Sequence, residues 1–237
     1  MCRRRHSTNA SRRSALELLL PRGVFVAATR QEIEAPLFPE EEPVLASAVE
    51  GRRREFATGR ACARNALAEL GLPAAAIPAD PSGAPRWPAT VVGSITHCRG
   101  YRAAAVGRAA EFDAVGIDAE PNLRLPPEVL GAIALPVERE RVRWLLRDAP
   151  GPCWDRLLFS AKEAVFKAWF PLTGTRLDFE DAEVAFDVAG GRFSARLRAR
   201  RHGPAGTPPT LAGRWAVTAG ILATAIALPA GRVFSPQ

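Results

Sequence analysis

The chain has 237 residues, is 47% apolar and 24% charged, and is long enough to bury one large core or two small ones without structural metals or disulfides. Its net charge of +7 does not argue for a nucleic-acid partner. Arg3, Arg4, Arg5, Arg12 and Arg13 supply five of those charges, which leaves +2 for residues 14–237.

The Arg-rich, acid-poor opening MCRRRHSTNASRR lacks the apolar region of a secretory signal and is read with the next few residues as a disordered leader over 1–20. GVFVAAT (23–29) predicts a strand. GRRREFATGRACARNALAELG (51–71) predicts a strong helix with an arginine stripe, closed by Gly71 and Pro73. Residues 73–90, rich in Pro, Ala and Gly, form a surface loop. VVGSITHCRGYRAAAVG reads as two strands joined at Cys98-Arg99-Gly100, with His97 at a strand end, and AVGID (114–118) as a further strand running into AEP.

Residues 126–147 hold helical pieces rich in arginine, and a second strong helix covers 155–170, closed by Pro171. Strands and Gly/Pro turns fill the remainder. The run WAVTAGILATAIALP (215–229) is too short for a typical membrane span of about 20 residues and is read as a strand or strand pair. The fold class is α+β, with a seam near 110–118 that divides an N-terminal part, 21–113, from a C-terminal part, 114–237. The four cysteines, Cys2, Cys62, Cys98 and Cys153, form no C-x-x-C pair, and reduced thiols in a cytoplasmic protein fit them best.

The second helix carries an unusual distribution of charge. Thirty of the 32 basic residues are arginine, and the two lysines, Lys162 and Lys167, flank Glu163. At 100° per residue the helix is apolar nearly all round except for a stripe of Ser160, Glu163 and Lys167, and a charge on a buried helix requires a partner, an ion or a solvated cleft. A plain Glu163–Lys167 ion pair accounts for the stripe equally well.

In GIDAE, Asp118 and Glu120 fall on one side of the strand, and paired carboxylates are what a Mg²⁺ site asks for; a solvated strand end is the competing reading. Ser94, Thr96 and His97 add small donors suited to phosphate oxygens, and Arg52, Arg53, Arg54, Arg60 and Arg64 either grip phosphate or form a solvated face. Taken together these groups describe a site for a polyphosphate substrate held by Mg²⁺. Neither a P-loop nor a G-x-G-x-x-G fingerprint accompanies them.

GRACARNAL, GAPRWP, VVGSITHCRGYRAAAV, VGIDAEP and LLFSAKEAVFKAWFPLT follow one another in the order seen in Sfp-type 4′-phosphopantetheinyl transferases, and the chain most resembles the enterobactin-synthase component D branch and its actinobacterial relatives. The resemblance covers roughly residues 20–228. It implies a monomeric, pseudo-twofold pair of similar α/β subdomains with coenzyme A in the cleft between them, the N-terminal one contacting the CoA phosphates and adenosine and the C-terminal one holding the metal site and catalytic helix. The implied reaction moves phosphopantetheine from CoA to a serine of an acyl or peptidyl carrier protein, releasing adenosine 3′,5′-bisphosphate.

By the same resemblance Asp118, Glu120 and Glu163 hold Mg²⁺ or Mn²⁺ on the CoA pyrophosphate, Glu163 is the general base, and Lys162 and Lys167 neutralise developing charge. Arg52, Arg60, Ser94, Thr96, His97, Lys162 and Lys167 would contact CoA. Arg86 would stand in for a lysine that relatives carry before GAPRWP, and Arg176 and Asp178 stand where Trp and Gly are expected. Arginines at 139–147 or 192–201 would offer a docking face to an acidic carrier. Phe166, Trp169 and Phe170 are read as core. The competing readings are a non-catalytic CoA binder and a basic nucleic-acid-binding protein; the latter lacks aromatics interleaved with its arginines.

Overall fold

Two antiparallel sheets organise the computed structural model, which describes residues 14–198 and 208–231. The first contains β1 (Val24–Thr29), β2 (Val91–Cys98) and β3 (Tyr101–Arg108) in the order β1-β3-β2. The second contains β4 (Phe112–Pro121), β5 (Ala182–Asp187), β6 (Arg192–Leu197), β7 (Thr210–Thr218) and β8 (Ile221–Pro229) in the order β4-β8-β7-β6-β5. The helices are α1 (Ala15–Leu19), α2 (Glu50–Glu69), α3 (Pro127–Ile133), α4 (Pro136–Asp148) and α5 (Trp154–Thr173). The architecture is α+β, and among the described residues no helix is long and apolar enough to cross a membrane.

Each sheet buries one face against a long helix. Small residues of α2, among them Cys62, Ala63 and Ala66, pack on Ala104 and Val106 of β3. Leu157, Leu158, Ala161 and Val165 of α5 pack on the second sheet. Strand β6 shows strict alternation of exposed and buried residues, as expected for a sheet with one wet face.

The two sheets meet where β2 and β4 lie side by side with no backbone ladder between them. Two β2 hydroxyls take the place of carbonyls: Ser94 Oγ accepts from Ile117 N–H at 3.1 Å and Thr96 Oγ1 from Ala119 N–H at 3.1 Å. Backbone donors buried at this junction are thereby satisfied.

Helix α1 closes the seam from behind. Ala15, Leu16 and Leu19 are buried against Tyr101, Val115, Ile117 and Ala223, residues drawn from both sheets. This corrects the leader boundary, because Ser14 onward is folded: Ser14 and Glu17 form a reciprocal capping box immediately before the Leu18-Leu19-Leu20 run. The Arg-rich segment 1–13 lies outside the described residues.

Helix α5 does not stop at Pro171. It continues to Thr173 and ends on Gly174 in the left-handed region, φ 63°. In the last turn a proline costs one intrahelical hydrogen bond, so Gly174, immediately after Thr173, sets the end instead of the proline.

The approach of α5 to β4 depends on Gly116. A methyl at this position would fall onto the Ala164 carbonyl oxygen and within 2.7 Å of Ala168 N, both helix backbone. Gly116→Ala is therefore expected to lower unfolding free energy by about 1–3 kcal/mol, the usual cost of overpacking. Urea titration checks it.

Candidate active site

Strand β4 and helix α5 build the acidic end of the site. Asp118 is buried, and its Oδ1 accepts from Lys167 Nζ at 2.7 Å and from Thr96 Oγ1 at 3.1 Å. Its other oxygen, Oδ2, is buried with no hydrogen-bond partner. Glu120, at the end of the strand, receives Arg156 Nη1 at 3.0 Å. Glu163 sits one helical turn before Lys167 and is half-buried.

Burial raises both glutamates above the usual carboxylate range, and the charge of Asp118 adds to the rise in each. Arg156 and Lys167 oppose it at Glu120, Lys167 at Glu163. Asp118 is thus the common neighbour of two carboxylates that resist ionisation, beside an orphaned oxygen.

Among the described residues no three His, Cys, Asp or Glu side chains converge into a preassembled metal cage. A Mg²⁺ ion does not need one, since it keeps several waters and takes one or two carboxylates together with substrate phosphate. A divalent cation fits the donor set: it would occupy the free Asp118 oxygen and relieve the repulsion that lifts Glu120 and Glu163.

Lys162 is not part of this arrangement. Its Nζ is buried on another side of α5, bonded to Glu138 Oε2 at 2.8 Å, Phe179 O at 2.6 Å and Ala182 O at 2.9 Å. One helix position, 100°, separates it from Glu163, and that rotation turns it under β5 and α4 instead of toward Asp118. Its expected contact with CoA and with the reaction is corrected to an internal ion pair.

Between the two sheets lies a cavity of about 520 Å³. Arg52, Arg60, Ser94 and His97 line it from the N-terminal side, Phe166, Lys167 and Phe170 from α5, and the loop from Ser82 to Ala89, Arg86 excepted, forms its rim. Arg52 Nη1 donates to His97 Nε2 at 3.1 Å, which requires that nitrogen to be unprotonated, and burial lowers the histidine below its ordinary value.

Arg60 is buried. Its Nε donates to Ile77 O at 2.6 Å and its guanidinium stacks 4.0 Å over Phe56. No carboxylate lies within ion-pair distance of it among the described residues, and desolvation brings it down to about 10. A buried guanidinium without a counter-ion, facing a cavity, calls for an anionic ligand.

Other expected contacts are placed differently. Thr96 is buried behind the cavity, where it bridges Asp118 and the Ala119 amide, and Ser94 reaches the cavity wall while its hydroxyl is engaged with Ile117. Arg86 is exposed and does not line the cavity; its charge instead acts on Asp80, whose Oδ1 shapes the loop by accepting from the Ser82 and Ala84 amides. Phe166 and Phe170, read as core, are half-buried and form part of the wall, whereas Trp169 is buried.

Arg156 was missed, although it lies seven residues before Glu163 and therefore on the same helix face. Glu138, the partner of Lys162, carried no comparable signal. Of the arginines considered for docking, Arg141 and Arg196 are both paired with Glu183, and residues 199–201 fall outside the described residues.

The fold thus brings a cavity lined by Arg52, Arg60 and His97 together with an acidic, lysine-bearing strand–helix junction. A family model for the 4′-phosphopantetheinyl transferase N-terminal domain matches residues 40–107, and one for the 4′-phosphopantetheinyl transferase superfamily matches residues 114–216. The chain is 54% identical over 200 residues to the 4′-phosphopantetheinyl transferase Svp of Streptomyces mobaraensis, covering 82% of this chain and 80% of that protein. Identity to PptT of Mycobacterium tuberculosis is 50% over 196 residues, 80% and 85% of the two chains, and to Npt of Nocardia iowensis 46% over 222 residues, 90% and 99%.

The chain belongs to the 4′-phosphopantetheinyl transferase family. It is a transferase that moves phosphopantetheine from coenzyme A to carrier proteins, in a family that is generally metal-dependent.

Proposed function

We propose that Asp118, Glu120 and Glu163 hold Mg²⁺ against the CoA pyrophosphate, that Glu163 is the general base and that Lys167 is the cation for the leaving group. The reading rests chiefly on Asp118, whose one oxygen is fixed by Lys167 and Thr96 while the other is buried and free. When bound, the divalent ion would neutralise pyrophosphate oxygens.

Glu163 takes the proton of the carrier serine, whose oxygen attacks the β-phosphorus as the bond to the adenosine 3′,5′-bisphosphate oxygen breaks. Lys167, ion-paired with Asp118 at 2.7 Å, faces the charge that appears on that oxygen. Such transfer depends mostly on positioning and charge neutralisation, which suits a compact ammonium. Arg52, Arg60 and His97 grip the nucleotide phosphates from the N-terminal wall of the cavity. The N-terminal part, 21–113, thereby serves the nucleotide and the C-terminal part, 114–237, the chemistry.

The partners are acyl and peptidyl carrier domains of fatty-acid, polyketide, nonribosomal-peptide or siderophore assembly, met by a cytoplasmic monomer. Intact mass spectrometry of an apo carrier incubated with the protein, CoA and Mg²⁺ should show a gain of one phosphopantetheine that EDTA abolishes. No gain on any acyl or peptidyl carrier, despite demonstrated CoA binding, would overturn the reading.

Two further results are expected. Saturating Mg²⁺ without CoA should raise the melting temperature by about 3–5 °C, as ligand at roughly tenfold its dissociation constant stabilises by ~1.4 kcal/mol; Asp118→Asn should abolish that shift. Arg52→Ala, at an exposed position, should raise KM for CoA about 10- to 100-fold with little change in kcat, the usual effect of losing a charge-assisted hydrogen bond to phosphate.

A further inference from the structure

Glu55 stands among the basic groups of the cleft without bonding any of them. Its carboxylate lies 3.9 Å from Arg52 Nη1, 3.7 Å from His97 Nε2 and 3.8 Å from Arg102 Nη2. All three separations exceed hydrogen-bond distance. Other arginines of α2 hold their carboxylates closely: Arg53 to Glu42 at 2.8 Å, Arg54 to Glu32 at 3.0 Å and Arg64 to Glu41 at 3.0 Å. Glu55 therefore balances charge while remaining loosely held.

Arg102 is the buried member of the set. It projects from β3 directly across from His97 on β2, its side chain is 10% exposed, and its Nε is buried without a partner. Glu55 lines the cavity and Arg102 does not. The other carboxylate near Arg102, Glu32 at 3.8 Å, is engaged with Arg54. The strand pairing thus places a partly unsatisfied guanidinium beside His97, with two carboxylates, Glu55 and Glu32, each held loosely at 3.8 Å.

Without an internal anion, the clustered basic groups would repel one another across a partly desolvated cleft. A phosphate monoester carries more charge than a carboxylate and three acceptor oxygens, and it forms charge-assisted bonds of about 2.7–2.9 Å to guanidinium groups. It can outcompete a carboxylate held at nearly 4 Å. A ligand that lacks this monoester has nothing with which to replace the carboxylate.

We propose that Glu55 is an internal counter-ion for the 3′-phosphate position of the CoA cleft, displaced when that phosphate binds, and that Arg102 then becomes an additional phosphate ligand. The proposal rests on the reading above, in which Arg52 and His97 receive a CoA phosphate. Glu55 thereby sets how strongly the cleft distinguishes CoA from its 3′-dephospho form.

Isothermal titration of the full chain with CoA and with 3′-dephospho-CoA tests this. Glu55→Gln should tighten CoA about fivefold, the scale set by one unit charge at about 4 Å in a water-like dielectric, and leave 3′-dephospho-CoA nearly unchanged, so that discrimination rises. Unchanged or reduced discrimination would overturn the proposal and make Glu55 a residue that only positions Arg52 and His97. Arg102→Lys, which keeps the charge but loses the fork, should weaken CoA selectively; equal weakening of both ligands would remove Arg102 from the phosphate site. If the unmodified protein binds both ligands equally, the 3′-phosphate assignment itself fails, and this proposal fails with it.

Discussion

Glu163→Gln is expected to lower kcat at least ~100-fold while leaving the metal-free protein as stable as before or more so. The loss follows from the two roles proposed for Glu163, general base and metal ligand, since positioned proton transfer alone contributes about 10²–10⁴. The stability follows from the sign of the titration. Burial and Asp118 raise the Glu163 pKa in the folded protein, so its ionised form is disfavoured there relative to the unfolded chain.

A carboxyl raised on folding contributes stability at low pH, and that contribution is lost as pH rises from the unfolded value through the folded one. Ionising the side chain in the folded protein therefore carries a cost, which glutamine removes without changing shape. Turnover by mass spectrometry and a melting curve in EDTA check the two halves. A large fall in melting temperature alongside the activity loss would show that Glu163 supports the fold instead of the reaction.

Lys162→Met should behave in the opposite way, with unfolding free energy falling by about 3–5 kcal/mol and turnover per folded molecule staying within a few-fold of the unmodified protein. The cost is that of leaving one member of a buried ion pair uncompensated. Glu138 would keep the amides of Leu135 and Val184, at 2.8 and 2.6 Å, but lose the one cation paired with it among the described residues, and the carbonyls of Phe179 and Ala182 would lose their shared donor. Replacing both partners, Lys162→Met with Glu138→Leu, should recover only part of the loss: no charge stays buried, but the amides of Leu135 and Val184 lose their acceptor as the carbonyls of Phe179 and Ala182 lose their donor. A collapse of turnover in the folded single variant would return Lys162 to the active site.

These two neighbours show where sequence stopped being sufficient. The 3.6-residue period placed Glu163 and Lys167 on one polar stripe of α5, and the strand period placed Asp118 and Glu120 on one side of β4; that the strand and the helix meet was implied by the family resemblance and not by either period. Lys162 lay 100° away on the helix, close enough to join the same cleft or to face elsewhere. Its fate was decided by Glu138, 24 residues earlier on α4, and by carbonyls that only the packing of β5 under α5 brings within reach.

Thr96 and Ser94 illustrate the same limit at the seam. Small hydroxyls beside a histidine suit phosphate, and nothing local marks them as substitutes for strand carbonyls between β2 and β4. Helix α1 was the reverse case, since the capping box of Ser14 and Glu17 before three leucines was a local signal overshadowed by the arginines ahead of it.

The sequence by itself determined the periodic elements, the acidic strand, the charged stripe of the second long helix and the order of motifs that defines the family. Tertiary structure decided which of the two lysines faces the carboxylates, which hydroxyls fasten the sheets and which carboxylate stands among the cleft's cations. Periodicity is a property of consecutive residues, whereas the partner of a buried charge is fixed by chain segments that meet only when the core closes.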